Sequence, residues 1–445
     1  MSSRLTFRAI LGPEGIERNR SLRIGADGAI EAIEVGEPPY DGFLALPGMP
    51  NAHSHAFQRA LAGRGEAARG EDSFWSWREA MYRLANSIEP EQMYAIARQA
   101  YAEMLAAGFT RVVEFHYLHH RRDGSRGPEM TDAVCRAAGD SGLPMTLLPV
   151  YYRSSGIDGA PAAAGQRRFA HDSVEDFVGT LSRVGHPIGG VAPHSLRAVP
   201  VEDLPALVNA LDSIVGPAAP LHIHVSEQTA EVEACRERFG QTPIERLADA
   251  VDLGPRWGLI HATHATAEER RLVRAAGATV VLCPLTEAYL GDGLFEAGEH
   301  MREGGGVAVG SDADVRISAV EELRLLEYGQ RLRDRLRARL GDADGLGAAL
   351  WSRLAAGGAR AAGADVGRLA PGLRADVIVL DGESPALAGH EPETALDAWI
   401  VGGTSADIES VYVAGRRRAG GGVVDAGADG LRRFDRALRE IWAHA

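Results

Sequence analysis

Residues 44–59 read LALPGMPNAHSHAFQR. An apolar run leads into Pro47 and Gly48 and then into His53-x-His55. Residues i and i+2 of a strand share a face, so these two imidazoles stand side by side at a strand end and can grip one cation from one side. A His-x-His pair alone is a weak signal, because surface and core histidines are common. Its weight comes from its place, at the end of what reads as the first strand of a long series.

Downstream, helical stretches such as PEQMYAIARQAYAEMLAAG (90–108) alternate with short apolar strands. These are TRVVEF (110–115), TLLPV (146–150), PLHIHV (220–225), WGLIHA (257–262), ATVVLC (278–283) and GVAVGSD (306–312). Helix and β-branched strand in alternation is the pattern of a mostly parallel sheet. The count and length predict a closed eight-unit (β/α)8 TIM barrel over 47–369. A barrel absorbs about 250 residues or more, and the chain has 445, so a smaller unit accompanies it. LTFRAI (5–10), SLRIGA (21–26) and AIEAIEV (29–35) read as strands with turns between them. ADVIVL (375–380), DAWIVG (397–402) and 408–415 read as strands at the other end. Each end alone is too small to bury a core. The two are therefore expected to pair, 1–46 with 370–445, into one small β domain. The segments 355–366 and 416–430 read as Gly/Ala-rich loops. Residues 323–340 read as an amphipathic surface helix or a dimer contact.

The formal net charge is −14, the wrong sign for a general nucleic-acid binder. No apolar run approaches the length of a membrane span. Three cysteines, Cys135, Cys235 and Cys283, make no C-x-x-C pair and point to a reducing compartment, the cytoplasm.

Three further strand ends carry polar groups. PLHIHVSEQ (220–228) offers His222 and His224, followed by Glu227; the later histidine sits nearer the C-terminal end, where barrel sites lie. WGLIHATH (257–264) ends in His261, with His264 in the following loop. VAVGSDADV (307–315) delivers Asp312. Three imidazoles and a carboxylate, His53, His55, His224 and Asp312, make an N/O set suited to one zinc ion, and iron or manganese suit similar ligands. Asp312 can take a proton from water, Glu227 can give one to a leaving nitrogen, and His261 can stabilise charge.

On these residues the chain resembles the amidohydrolase superfamily. The resemblance implies a distorted barrel, a small β-sandwich built from both chain ends, His-x-His after strand one, His after strands five and six, and Asp after strand eight. Binuclear members carry a bridging lysine near strand four; GGVAPHSLRAVP (189–200) offers none, so one metal per chain is expected. The His224/Glu227 spacing resembles the deaminase branch. Within it, PGMPNAHSHAFQRALAGRG (47–65), VEFHYLHH (113–120), APHSLRAV (192–199) and LCPLTEAYLGDG (282–293) resemble the formimidoylglutamate deiminase family. That resemblance implies hydrolysis of N-formimino-L-glutamate, an acyclic dicarboxylate, and a homodimer. It makes Gln58, Tyr117, His194 and Arg197 candidate substrate contacts, with Arg78 and Arg83 from the segment after strand one. Arg197 is read either as a two-pronged carboxylate contact or as a fold-stabilising ion pair. His116, His119 and His120 are read as loop or supporting residues, and Trp75 and Trp77 as a cover for the site or as core. The competing readings are a zinc deaminase of a heterocycle such as guanine, cytosine or an adenosine derivative, and a catalytically dead barrel.

Overall fold

The structure is a computed structural model that describes residues 3–64, 66, 74–343, 345–421, 423–424 and 427–443. Trp75 lies on a described helix, but its side chain is outside what is described.

Among the described residues, sixteen strands fall into two systems. The first is an eight-stranded sheet from both chain ends, in the order β16-β15-β14-β13-β4-β1-β2-β3. Its members are β1 (Ser3–Gly12), β2 (Gly15–Ile24), β3 (Ile30–Val35), β4 (Gly42–Pro47), β13 (Val377–Leu380), β14 (Ile408–Val413), β15 (Arg416–Gly420) and β16 (Val423–Val424). The two ends meet where β4 and β13 run antiparallel, Leu44 against Leu380 and Pro47 against Val377. Phe7, Ile10, Leu22, Ala45 and Val379 form an apolar cluster drawn from this sheet. The expected pairing of the chain ends is therefore present.

The second system is the barrel. Its strands are β5 (Met49–Ser54), β6 (Phe109–His116), β7 (Met145–Tyr151), β8 (Ala192–Pro193), β9 (Leu221–Val225), β10 (Trp257–His261), β11 (Thr279–Leu282) and β12 (Gly306–Val309). They run parallel as two four-stranded sets, β5 to β8 and β9 to β12. Single parallel bridges, Ser54 to Asp312 and Val191 to Leu221, close the two seams. Most of the strands are buried from end to end, which explains why they read as unbroken apolar runs rather than alternating ones.

Three expectations fail, each for a physical reason. DAWIVG is not a strand; it is the second half of a helix, Pro392–Gly402, that starts with proline in its first turn. Its buried residues Ala395, Leu396, Trp399 and Ile400 have helical spacing, which a window opened at 397 cuts in two. The 416–430 segment is not a loop: it holds β15, β16 and the start of a helix, Gly427–Ala443, whose Phe434 and Ile441 join the barrel core. The helix Gly347–Ala361 takes up 355–361, and only the remainder of 355–366 is turn. Its glycines lower helix propensity, but close packing decides. A Cβ on Gly357 would lie 1.8 Å from the Val307 carbonyl oxygen of β12. Gly357→Ala should therefore cost about 1–3 kcal/mol through overpacking. A denaturant midpoint unchanged from the parent would show that this contact does not constrain the helix.

Residues 323–334 of the expected 323–340 helix lie on a helix, Ala319–Asp334, that buries Leu323, Leu326, Glu327 and Gln330, and 335–340 fall beyond its left-handed end at Arg335. Leu332 and Leu336 are exposed, so it is an amphipathic surface element. Among the described residues no helix is long and apolar enough to cross a membrane.

Candidate active site

All the polar strand ends converge at the C-terminal mouth of the barrel, where side chains from different strands meet. β5 delivers His53, with His55 one residue past its end. The chain there is stitched to the end of β12: Ser311 and Asp312 N–H both donate to the His53 carbonyl at 3.0 Å, and His55 N–H donates to the Asp312 carbonyl at 2.9 Å. Gly310 makes this approach possible, because a Cβ there would fall 2.7 Å from His53. Three of the turns that aim these groups use backbone that side chains rarely adopt: φ is +52° at Ser226, +65° at His261 and +47° at Asp312. Such strain persists where surrounding structure enforces it, commonly at functional sites.

His53, His55, His224 and Asp312 are all buried, and their ligand atoms lie within 4.8 Å of one another. His53 Nε2 and His55 Nε2 each stand 3.3 Å from Asp312 Oδ1. His224 Nε2 lies 3.0 Å from His53 Nε2 and 3.4 Å from His55 Nε2. Two tautomers follow from the outer contacts. His55 Nδ1 donates to the Phe115 carbonyl and His224 Nδ1 donates to the His194 carbonyl, each at 2.9 Å. Their Nε2 atoms therefore carry lone pairs that face each other. Burial, opposed by Asp312, lowers His53 to about 3, and burial lowers His55 and His224 too. Neutral imidazoles with converging lone pairs beside a carboxylate need a cation between them. Three nitrogens and an oxygen suit zinc, and the backbone carbonyls behind the rings supply the outer support that metal-ligating histidines use. None of the 445 residues is lysine, so no carboxylated lysine can bridge a second ion. His222, the other histidine of β9, lies deeper in the barrel, where its Nε2 donates to the Ala361 carbonyl at 2.9 Å; it is a core residue outside the cluster.

Glu227 sits between two partners. Its Oε2 accepts from Arg197 Nη2 at 2.6 Å, and its Oε1 stands 3.9 Å from His261 Nε2. His261 Nε2 is also 3.7 Å from Asp312 Oδ2, the oxygen turned away from His53 and His55. Behind it, His261 Nδ1 donates to Glu287 Oε1 at 3.2 Å. Burial alone would lower the His261 pKa, but Glu287, Glu227 and Asp312 raise it to about 10. In the sequence Glu287 stands only as part of LCPLTEAYLGDG, with no role of its own. The signal available was an acidic residue in the first turn of a helix opened by Pro284, directly after β11.

A cavity opens over these groups. His55, His224, Glu227, His261 and Asp312 line its floor, and Gln58, Tyr117, His194, Arg197 and Arg78 line its walls. Gln58 Nε2 donates to the Tyr117 hydroxyl at 2.7 Å, and that hydroxyl donates in turn to Met81 Sδ at 3.6 Å. Trp77 lines the cavity as well, so it is a cover residue. Tyr82, Tyr152 and Phe169 complete the wall; sequence reading missed them because an aromatic residue after a strand or on a helix usually means core. Arg197 is ion-paired to Glu227, as one of its readings expects, and it lines the cavity.

Arg83 is the exception. It is exposed and does not line the cavity. It follows Arg78 by five positions on the helix Phe74–Ser87, and at 3.6 residues per turn the two cannot share a face. Arg83→Ala should leave kcat/KM within about twofold of the parent, as surface changes do; a tenfold loss would return it to the site. His116, His119 and His120 are buried beside the barrel, bonded to Thr131, the Val150 carbonyl and the Ala170 carbonyl. They are supporting residues.

The amidohydrolase family model matches residues 44–418. The formimidoylglutamate deiminase of Pseudomonas aeruginosa is 44% identical over 433 residues, covering 94% of each chain. A 5-methylthioadenosine/S-adenosylhomocysteine deaminase of Halobacterium salinarum is 30% identical over 86% of this chain and 85% of its own. Among solved structures, an amidohydrolase from Brucella melitensis matches with a TM-score of 0.90 at 42% identity, covering 99% of both chains. A zinc-bound adenosine deaminase from Xanthomonas campestris matches with a TM-score of 0.79 at 21% identity, covering 99% and 98%, a likeness of fold. The strand-end histidines and aspartate thus sit in a chain whose sequence and fold are shared almost end to end with these enzymes, and the chain belongs to the amidohydrolase family.

Proposed function

We propose that this protein is a mononuclear zinc hydrolase that converts N-formimino-L-glutamate and water to N-formyl-L-glutamate and ammonia. The observation that carries the reading is Glu227: a carboxylate outside the metal cluster, held between Arg197 and His261 at the floor of a cavity that also carries Arg78. The near end of that cavity can move protons at a C=N bond, and its walls can hold an anion. The 44% identity to a formimidoylglutamate deiminase supports the same substrate.

A zinc ion held by His53, His55, His224 and Asp312 supplies a Lewis acid that lowers the pKa of water to about 7. Asp312 accepts the proton of the attacking water through Oδ2. The oxygen adds to the formimino carbon, and His261 donates to the charge that develops there. Glu227 relays two protons to the terminal nitrogen, the one Asp312 took from the water and the one left on the added oxygen, so that the nitrogen goes from =NH to NH3. The C–N bond then breaks, the formyl C=O forms, and ammonia departs. Arg197 keeps Glu227 oriented at the cavity wall, while Gln58, Tyr117, His194 and Arg78 position the two carboxylates. Planar guanidinium groups match carboxylates in pairs of hydrogen bonds.

The test is a comparison of substrates. Each charged hydrogen-bonded contact is worth about 1.5–3 kcal/mol, or about tenfold to a hundredfold. N-formimino-L-glutamate should exceed N-formimino-4-aminobutyrate, which lacks one carboxylate, by at least about tenfold in kcat/KM. Equal values would remove the dicarboxylate from the account. Ammonia from guanine, cytosine or adenosine instead would favour a heterocycle deaminase. The three free, buried cysteines support a cytoplasmic location, and a homodimer follows the family resemblance alone.

A further inference from the structure

One cavity wall carries hydroxyls whose direction is set from behind. Gln166 is buried and does not line the cavity. Its Oε1 accepts from the Ala163 backbone N–H at 2.7 Å, which fixes which way the amide faces. Its Nε2 then points at two phenols, donating to Tyr152 Oη at 2.6 Å and to Tyr82 Oη at 3.0 Å. The turn holding Gln166 is tied to the helix carrying Tyr82, because Asn86 Nδ2 donates at 2.8 Å both to the Gly165 carbonyl and to the Tyr82 carbonyl.

An amide NH2 only donates, so both phenol oxygens must accept. Their own protons have to go elsewhere. The two oxygens are 3.5 Å apart, so one phenol can donate to the other, and that consumes one proton. Among the described residues no carbonyl or carboxylate accepts from either hydroxyl. At least one O–H is therefore left to donate into the cavity that both rings line. Burial raises the Tyr152 pKa well above that of free tyrosine, so the proton stays in place at any working pH. The Arg78 guanidinium lies 5.6 Å from the centre of the Tyr82 ring, which puts a cation at the same wall.

We infer that Gln166 is a positioning residue that turns the Tyr82 and Tyr152 hydroxyls into donors, so that with Arg78 they form a recognition point for a substrate carboxylate. This rests on the dicarboxylate reading above and adds a determinant of specificity to it. Gln166 touches nothing that reacts; it acts by denying the phenols any acceptor behind them.

Gln166→Glu separates this role from a structural one. A glutamate can still accept from Ala163 N–H and so keep the turn anchored, but its other oxygen accepts where the amide donated. Both phenols then donate backwards, and the cavity loses its donors. The probe is glutarate, a plain dicarboxylate, titrated calorimetrically into the zinc-loaded protein. Gln166→Glu should weaken its binding about tenfold or more. The Tyr82→Phe/Tyr152→Phe double variant, with Gln166 intact, should lose a similar factor. Adding Gln166→Glu to that double variant should cost less than about twofold more. Binding within about twofold of the parent in Gln166→Glu or in the double variant would overturn the inference, as would a full additional loss in the triple variant. If Gln166→Glu does not fold, the double variant decides. Ammonia release from N-formimino-L-glutamate by the parent is followed in the same preparation. Its absence with the glutarate pattern intact would sink the substrate reading and leave the carboxylate site standing.

Discussion

Glu227→Gln keeps its zinc and loses most of its turnover, by about a hundredfold to ten-thousandfold, the range general acid–base catalysis supplies. The cause is lost proton transfer. Glu227 is not among the four groups that surround the metal position, so the metal content should stay near one per chain. A glutamine has the same shape and an oxygen that can still accept from Arg197. Arg197 also keeps Glu231, 3.9 Å away, so the guanidinium is not stranded. What the amide lacks is an ionisable oxygen to pass a proton to the leaving nitrogen. The checks are metal analysis and initial rates of ammonia release on the same sample. Near-normal turnover would end the proton-transfer role, and lost zinc would mean that Glu227 supports the metal.

His53→Ala should lose the metal. The His53 ring is fully buried, and its Nε2 contacts both Asp312 Oδ1 and His224 Nε2, so it stands at the middle of the cluster. Loss of an outer-shell partner costs about 10–100-fold in metal affinity, and loss of a direct ligand should cost more. The variant should emerge from dialysis against a mild chelator with little zinc, while the parent retains it. Circular dichroism controls for folding, since truncating a buried ring also leaves a cavity. Stoichiometric zinc in a folded His53→Ala protein would show that the remaining three groups suffice.

The parts of the molecule that were legible in the sequence are those where one physical demand dominates. Barrel strands buried on both faces must be apolar throughout, and a polar residue at the end of such a run must have a partner. That logic located His53, His55, His224, His261 and Asp312 before any coordinates. Strand alternation alone puts His222 and His224 on one face; the position of His224 nearer the C-terminal end, where barrel sites lie, selects it, and the structure places it in the cluster. DAWIVG failed because an apolar stretch of six residues fits a strand or half a helix equally well. Gly357 and Gly358 suggested a loop, but they let a helix lie against Val307 and Pro50. Gln166 gave no signal, because its importance comes from which of its ends meets a backbone N–H and which meets two phenols. Arg78 and Arg83 looked equivalent until the helix turned one inward and the other outward.

The central claim is a reaction, and its products test it most directly. N-formimino-L-glutamate labelled with carbon-13 at the formimino carbon should be incubated with zinc-loaded protein and followed by NMR, with ammonia measured in parallel. The account predicts conversion of the label to the formyl carbon of N-formyl-L-glutamate, with one equivalent of ammonia and no free formamide. Labelled formamide alongside free glutamate would show that the other C–N bond breaks, and an unchanged label with folded, zinc-replete protein would contradict the assigned substrate.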